Sequence, residues 1–230
     1  MKRVVLSMVG VAALVSVTSC NLFKGSGEKK AEEPAATTEQ APTTEPSAVA
    51  TAAASSVADT STLANAWQSS CTPAAVLQLS SSRRTVAMTS EGKFEKTEQF
   101  FAEGCDKPHA LTYKTSGTYA TMGQHPSNPS LQNIDFTVDV ASISVASPAT
   151  VEMMNSQGFC GITDWAVDHE TEVTGKTCGS FTVQKGEVVM DVVEVKENNI
   201  YFGHQFSFMS AEDVKTRPEA VSVDAPYTKS

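Results

Sequence analysis

The chain has none of the short signatures that mark common catalytic or phosphate-binding sites. Its 230 residues contain no Gly-x-Ser-x-Gly elbow, no His-Glu-x-x-His pair and no phosphate-cradling glycine loop. No ready nucleophile, zinc-bound water or nucleotide cradle follows from the order of residues. There is no Cys-x-x-Cys pair, so the thiols lack the spacing that zinc sites usually show. His109, His125, His169 and His204 fall on separate segments at no metal-ligand spacing and read as surface or turn residues. Asp168-His169-Glu170 is a triple that an acidic loop produces by chance rather than an acid–base pair. The expectation is a protein that is not an enzyme and carries no cofactor or metal. Positive charge is scarce too: 17 Lys and Arg stand against 26 Asp and Glu, for a net charge of −9. Such a chain is repelled by phosphate backbones and anionic lipid surfaces, which excludes nucleic acid as a partner. The apolar run Val4 to Val17, interrupted only by Ser7, Gly10 and Ser16, is short for a bilayer-spanning helix.

The position of that run is informative. Lys2 and Arg3 precede it and the small residues of Val17-Thr18-Ser19-Cys20 follow, the order of a secretion signal. The arrangement resembles the lipobox of bacterial lipoproteins. That resemblance implies a signal peptide over 1–19, cleavage just before Cys20, and a diacylglyceryl group on the thiol, usually with a third chain on the new amine. One acyl chain, at about 0.8 kcal/mol per buried methylene, holds a protein marginally, and two or more hold it lastingly. Asn21 stands where lipoproteins kept on the inner membrane commonly carry Asp, so the resemblance implies a cell-envelope location at the outer membrane. Cleavage would remove two positive charges and no negative one, taking the net charge from −9 to −11.

From Cys20 to residue 60 the composition is that of a linker. Gly-Ser-Gly is followed by Glu-Lys-Lys-Ala-Glu-Glu and then by Ala, Thr, Pro, Glu and Ser, with no aromatic after Phe23. Such a stretch cannot bury enough surface to offset the entropy of ordering, and it reads as disordered. Forty flexible residues span about 35 Å root-mean-square, a tether that would hold a domain off the bilayer.

The texture changes over 61–230, where aromatic and β-branched residues alternate with polar ones between Gly, Asn, Pro and Asp clusters. Strands are expected over Leu63 to Cys71, Arg84 to Ser90, Phe94 to Ala102 and Leu111 to Thr121. Ile134, Phe136, Val138, Val140 and Ser142 mark one face of a long strand, the clearest period-two pattern in the chain. Glu91-Gly92 predicts one hairpin, and Lys185-Gly186 predicts another between Phe181 to Gln184 and Glu187 to Val195. Trp165 to Val173 reads as a strand, Pro148 to Gly158 as the one short helix, and Glu197-Asn198-Asn199 as a turn. Ile200, Phe202 and Phe206 to Phe208 complete the pattern, and Thr121 to Ser130, with its two prolines, reads as a loop. Eight to ten short strands with one helix indicate an all-β sandwich or barrel.

With Cys20 acylated, four cysteines remain, an even number suited to an oxidising compartment. Three pairings are formally possible. Cys71 with Cys105, and Cys160 with Cys178, each bracket a hairpin-sized or two-strand segment, and these are the expected bonds.

Several segments look familiar. Trp67-x-x-x-Cys71, Arg83-Arg84-Thr85-Val86, Phe100-Phe101-Ala102-Glu103-Gly104-Cys105-Asp106-Lys107-Pro108 and Gly117-Thr118-Tyr119 resemble the cysteine-bearing lipocalin-like domain of a membrane-tethered Wnt inhibitor of the APCDD type. Bacterial lipoproteins with a lipocalin-like domain are similar. Ile200-Tyr201-Phe202-Gly203 and Arg217-Pro218 resemble their closing segment. The resemblance covers about residues 61–121 and the end. It implies a lipocalin-like up-and-down antiparallel barrel whose Cys71–Cys105 bond pins the first strand and whose Trp67 plugs one end. Trp67, Phe101, Tyr113, Tyr119, Phe136 and Phe181 are then the candidates to fill the interior or to line a ligand cavity. The implied partner is a hydrophobic small molecule or lipid in the barrel. The alternative is a protein–protein interaction or recognition module of the cell envelope, a filled barrel whose loops engage another envelope or foreign-cell protein, a lipidated protein among the partners implied.

Overall fold

The computed structural model describes residues 60–204 and 213–230. The expected signal segment, Cys20 and the linker as far as residue 59 lie outside the described residues, as does the strand expected over Phe206 to Phe208.

A one-turn helix, α1 (Thr60–Leu63), leads into β1 (Ala66–Ser69), β2 (Thr72–Val76), β3 (Leu79–Met88), β4 (Lys93–Phe101), β5 (Leu111–His125) and β6 (Asn128–Val145). Then come α2 (Pro148–Gln157), a 3₁₀ turn (Phe159–Gly161) and the short strands β7 (Glu170–Glu172), β8 (Thr177–Cys178) and β9 (Phe181–Thr182). The series ends with β10 (Val188–Lys196), β11 (Asn199–Phe202) and β12 (Tyr227–Lys229). Among the described residues, eight strands close a ring in the order β1-β3-β4-β5-β6-β10-β11-β12, each antiparallel to its neighbours. β1 closes it by pairing with β3 on one side and β12 on the other. Neighbours in the ring follow chain order, so the fold is an all-β up-and-down barrel and not a sandwich. β2 extends the β3 side and β7 the β6 side.

Local chemistry sets the corners. The Glu91-Gly92 turn works as expected: the Gly92 N–H donates to Thr89 at 3.1 Å, and Gly92 takes a φ of 75° that its missing Cβ makes inexpensive. Ser147 caps α2 by accepting the Thr150 N–H, Pro148 occupies its first turn, and Gly158 ends it in the left-handed region. The expected Glu197-Asn198 turn joins β10 to β11 through the Lys196–Asn199 pair.

Three expectations are corrected. Thr121 to Ser130 is not a loop: β5 runs to His125 and β6 begins at Asn128, leaving Pro126-Ser127 as the turn. A register shift around Gly123 absorbs the irregularity, and Asn128 Oδ1 fixes the re-entry by accepting from Ser130 N and Oγ. The hairpin at Lys185-Gly186 does not form: the start of β10, Val188 to Val193, pairs with β6, and Phe181–Thr182 pairs with β8 instead. Of Trp165 to Val173 only Glu170–Glu172 is strand. Asn155 holds Trp165 out of any ladder, its Oδ1 accepting from Trp165 N at 2.7 Å while its Nδ2 donates to Trp165 O at 3.0 Å.

Both expected disulfides are present, Cys71–Cys105 and Cys160–Cys178. The second staples the 3₁₀ turn to β8 within the excursion between β6 and β10. That excursion packs Met154, Phe159, Trp165, Val173 and Cys178 against Leu111 and Ile143.

β6 carries one more residue than β5 between Ser116–Val140 and Gly117–Val138, a bulge that Gly117 permits. A Cβ on Gly117 would lie 2.0 Å from the Thr137 carbonyl oxygen, a backbone atom of the ladder that has little freedom to move. Gly117→Ala is therefore expected to destabilise the fold by about 1–3 kcal/mol, read as a lower urea midpoint at unchanged slope.

Candidate functional site in the barrel interior

The inner faces of the strands can be followed residue by residue. On β4, Phe94, Lys96, Glu98 and Phe100 point inward, paired with Gly117, Thr115, Tyr113 and Leu111 on β5. Phe94 belongs to an apolar cluster at the α1 end, with Trp67, Val86, Tyr119, Phe136 and Phe202. Phe100 belongs to a second cluster beneath the β6–β10 excursion, with Leu111, Tyr113 and Ile143. Lys96 and Glu98 lie between the two. Their counterparts are Arg84 on β3 and Asp191 on β10, so a charged belt crosses a barrel that is apolar above and below it.

The belt is internally paired on one side. Arg84 Nε donates to Glu98 Oε1 at 2.9 Å, with 7% and 3% of each residue exposed, and the Arg84 backbone N–H donates to Ser69 Oγ. Burial works against the Arg84 charge, but Glu98 and the Tyr227 phenol outweigh it and the guanidinium is held more firmly protonated than usual. Burial pushes the Tyr227 phenol up to about 12 and the Tyr113 phenol up as well.

On the other side sits Lys96. Its ammonium lies 3.6 Å from the centroid of the Phe136 ring, with Phe94 at 5.7 Å and Phe202 at 5.5 Å. Phe94 meets Phe136 edge-on at 5.1 Å, and Phe202 lies 6.1 Å from Phe136, so the rings form a connected wall around the cation. Asp191 is fully buried. Its Oδ1 accepts backbone N–H groups from Val192, Gly203 and His204, whereas Oδ2 has no hydrogen-bond partner among the described residues. Inward-facing Lys96, Thr115 and Val189 are half-buried. At the α1 end a cleft of about 180 Å³, lined by Thr62, Gln124, Leu131, Gln132, Val193 and Val195, opens against the apolar cluster through Val193.

Burial raises the Asp191 carboxyl from its ordinary 3.8 to about 6, against the opposing pull of Lys96, the His204 and Val192 N–H groups and the His204 ring. A carboxyl whose folded value is raised contributes stability that is complete below about pH 4 and is lost as pH climbs through about 6. Urea midpoints between pH 4 and 6.5 are expected to fall less in Asp191→Asn than in the parent chain; parallel profiles would contradict the assignment.

The structure sorts the six candidate interior residues into two groups and excludes one. Trp67, Tyr119 and Phe136 share the α1-end cluster. Trp67 is completely buried with its indole N–H on the Leu63 carbonyl at 3.0 Å, and the Tyr119 hydroxyl donates to Thr89 O at 2.8 Å. Tyr113 and Phe181 meet edge-on at 6.2 Å in the opposite cluster. Phe101 is not an interior residue. Phe100 takes the inward position of this pair, and the pleat turns Phe101 to the outer face, where Arg83 lies over its ring at 6.0 Å and donates to Cys105 O. Sequence reasoning missed Lys96, Glu98 and Asp191; the even spacing from Phe94 to Phe100 was the signal that could have placed the first two inside.

The histidines stay apart, but His125 and His204 are buried rather than on the surface. Glu170, of the Asp168-His169-Glu170 triple, is committed to the Ser142 hydroxyl at 2.6 Å and to Lys114, and the hydroxyl holds its carboxyl below the usual range. No helix among the described residues is long and apolar enough to cross a membrane. No protein-family model matches this chain, and no curated protein is detectably similar to it.

Proposed function

We propose that this chain is a lipid-anchored protein of the cell envelope, held by Cys20 and most consistent with the outer membrane, whose barrel binds a hydrophobic small molecule or lipid. The observation that carries the reading is the closed eight-strand barrel with a cleft of about 180 Å³ at its α1 end, beside Val193 and Val195. Apolar surface lining such a cleft is what a ligand would cover, at about 25 cal/mol per Å² removed from water. The interaction-module alternative loses its main loop, since Thr121 to Ser130 is strand on either side of the Pro126-Ser127 turn.

The test is direct. The chain purified from its envelope is extracted with organic solvent and the extract examined by mass spectrometry, with about one apolar molecule per chain expected. An extract with no stoichiometric compound would overturn the binding reading. Cys20→Ser is expected to abolish partitioning into detergent; unchanged partitioning would overturn the anchor independently.

A further inference from the structure

The cleft at the α1 end narrows the class of occupant, an inference that rests on the ligand-binding reading above. It opens where two ladders separate. β6 pairs with β10 as far as Gln132–Val193, whereas β10 runs on to Lys196 with only β11 beside it among the described residues. Backbone groups alternate sides along a strand. The Val192 carbonyl accepts the Gly203 N–H at 3.0 Å and the Met190 N–H donates to Val214 O at 2.8 Å, so the even-numbered residues of β10 face the β11 side. Odd-numbered ones face β6, and past Val193 the next of these is Val195. Its N–H and C=O therefore point toward the cleft that Val195 lines, with no ladder partner among the described residues. Val195 is 38% exposed, so a ligand can reach it.

The rest of the lining sets charge and size. Leu131, Val193 and Val195 make an apolar wall, Thr62, Gln124 and Gln132 are polar, and no lining residue is charged. Glu194, on the same strand, stays outside the lining, 7% exposed and matched by Lys196 at 2.9 Å. An ionised head would lose water here with no opposite charge in the lining to replace it. A volume of about 180 Å³ holds about six groups of water size, at about 30 Å³ each, which suits a short chain and not a whole long-chain lipid. An N–H and a C=O side by side are matched by a secondary amide, which carries one of each. One open strand residue satisfies one amide, not the run of peptide units that strand addition by a protein would use. We propose that the cleft takes a small, uncharged acyl amide, its amide paired with the Val195 backbone as a ladder neighbour would be and its short chain against Leu131 and Val193.

The experiment titrates the full chain carrying Cys20→Ser with N-methylhexanamide, methyl hexanoate and hexanoate at neutral pH, followed by ¹H–¹⁵N chemical shifts. The three share a tail; the ester keeps the carbonyl but has no N–H, and hexanoate is charged. The amide is expected to bind about threefold to tenfold more tightly than the ester, the net worth of one hydrogen bond, and more tightly still than hexanoate. The Val195 N–H is expected among the largest shifts. Val195→Pro deletes that N–H, which β11 does not use, and is expected to weaken the amide by a similar factor. Ester or hexanoate binding as tightly as the amide, or shifts remote from Val195, overturns the proposal while leaving ligand binding intact. N-acetyl-alanyl-alanine methylamide binding more tightly than N-methylhexanamide overturns it in favour of a peptide. If none binds, the proposal falls, and the solvent extract of the purified chain decides separately whether the barrel holds another apolar molecule. If Val195→Pro does not fold, the ranking of the compounds and the position of the shifts decide alone.

Discussion

Glu98→Ala is expected to lower the stability of the fold by about 3–5 kcal/mol, the range seen when one member of a buried ion pair is removed. The reason is what stays behind. Arg84 would keep its charge inside the barrel at 7% exposure with its carboxylate gone and the Tyr227 phenol a poor substitute. The pair itself is not worth that much, because desolvating two ions consumes most of their attraction. Replacing both residues, as Arg84→Met with Glu98→Leu, is therefore expected to cost far less than Glu98→Ala alone. Urea denaturation of the three variants gives the comparison, and a double variant less stable than the single one would refute this account of the belt.

Removing the Cys71–Cys105 bond, by Cys71→Ser with Cys105→Ser, is expected to cost about 4 kcal/mol from the loop it closes; the shorter Cys160–Cys178 loop gives about 3 kcal/mol. The cross-linked segments are 34 and 18 residues apart. The first bond ties the β1–β2 junction to the connection between β4 and β5, alongside the Arg83 contact with the Cys105 carbonyl. Its loss should thus loosen the seam where β1 joins β3, a stretch of only three paired positions. Thermal unfolding of the double variant checks this, and a midpoint equal to that of the parent chain would contradict it.

How far the sequence revealed the fold depended on whether one face of a strand was uniformly apolar. Ile134, Phe136 and Val138 announce their strand because Asp135, Thr137 and Asp139 turn to the other side. The same stretch misleads at Val140: the Gly117 bulge inserts one residue, and Val140 is 39% exposed while Ala141 turns inward. β4 was legible as a strand but not in what it buries, since Glu95-Lys96-Thr97-Glu98-Gln99 is polar on both faces and the interior charges look like solvated ones. Phe100-Phe101 is ambiguous for the opposite reason, two buried aromatics of which one parity alone belongs inside. β12 was invisible because three residues, Tyr227-Thr228-Lys229, carry no pattern and owe their conformation to the neighbours on either side. The disulfides were legible because four thiols in two well-separated pairs leave little for topology to decide.

The seam between Trp67 and Lys229 has a consequence for biosynthesis. The ring cannot shut while the ribosome is still making the segment before residue 227, because one edge of β1 has nothing to pair with until then. A nascent polypeptide must pass through a stage with open backbone edges, and contacts this distant in sequence form slowly. Chaperones or an unfolded export route would have to shield it for that interval.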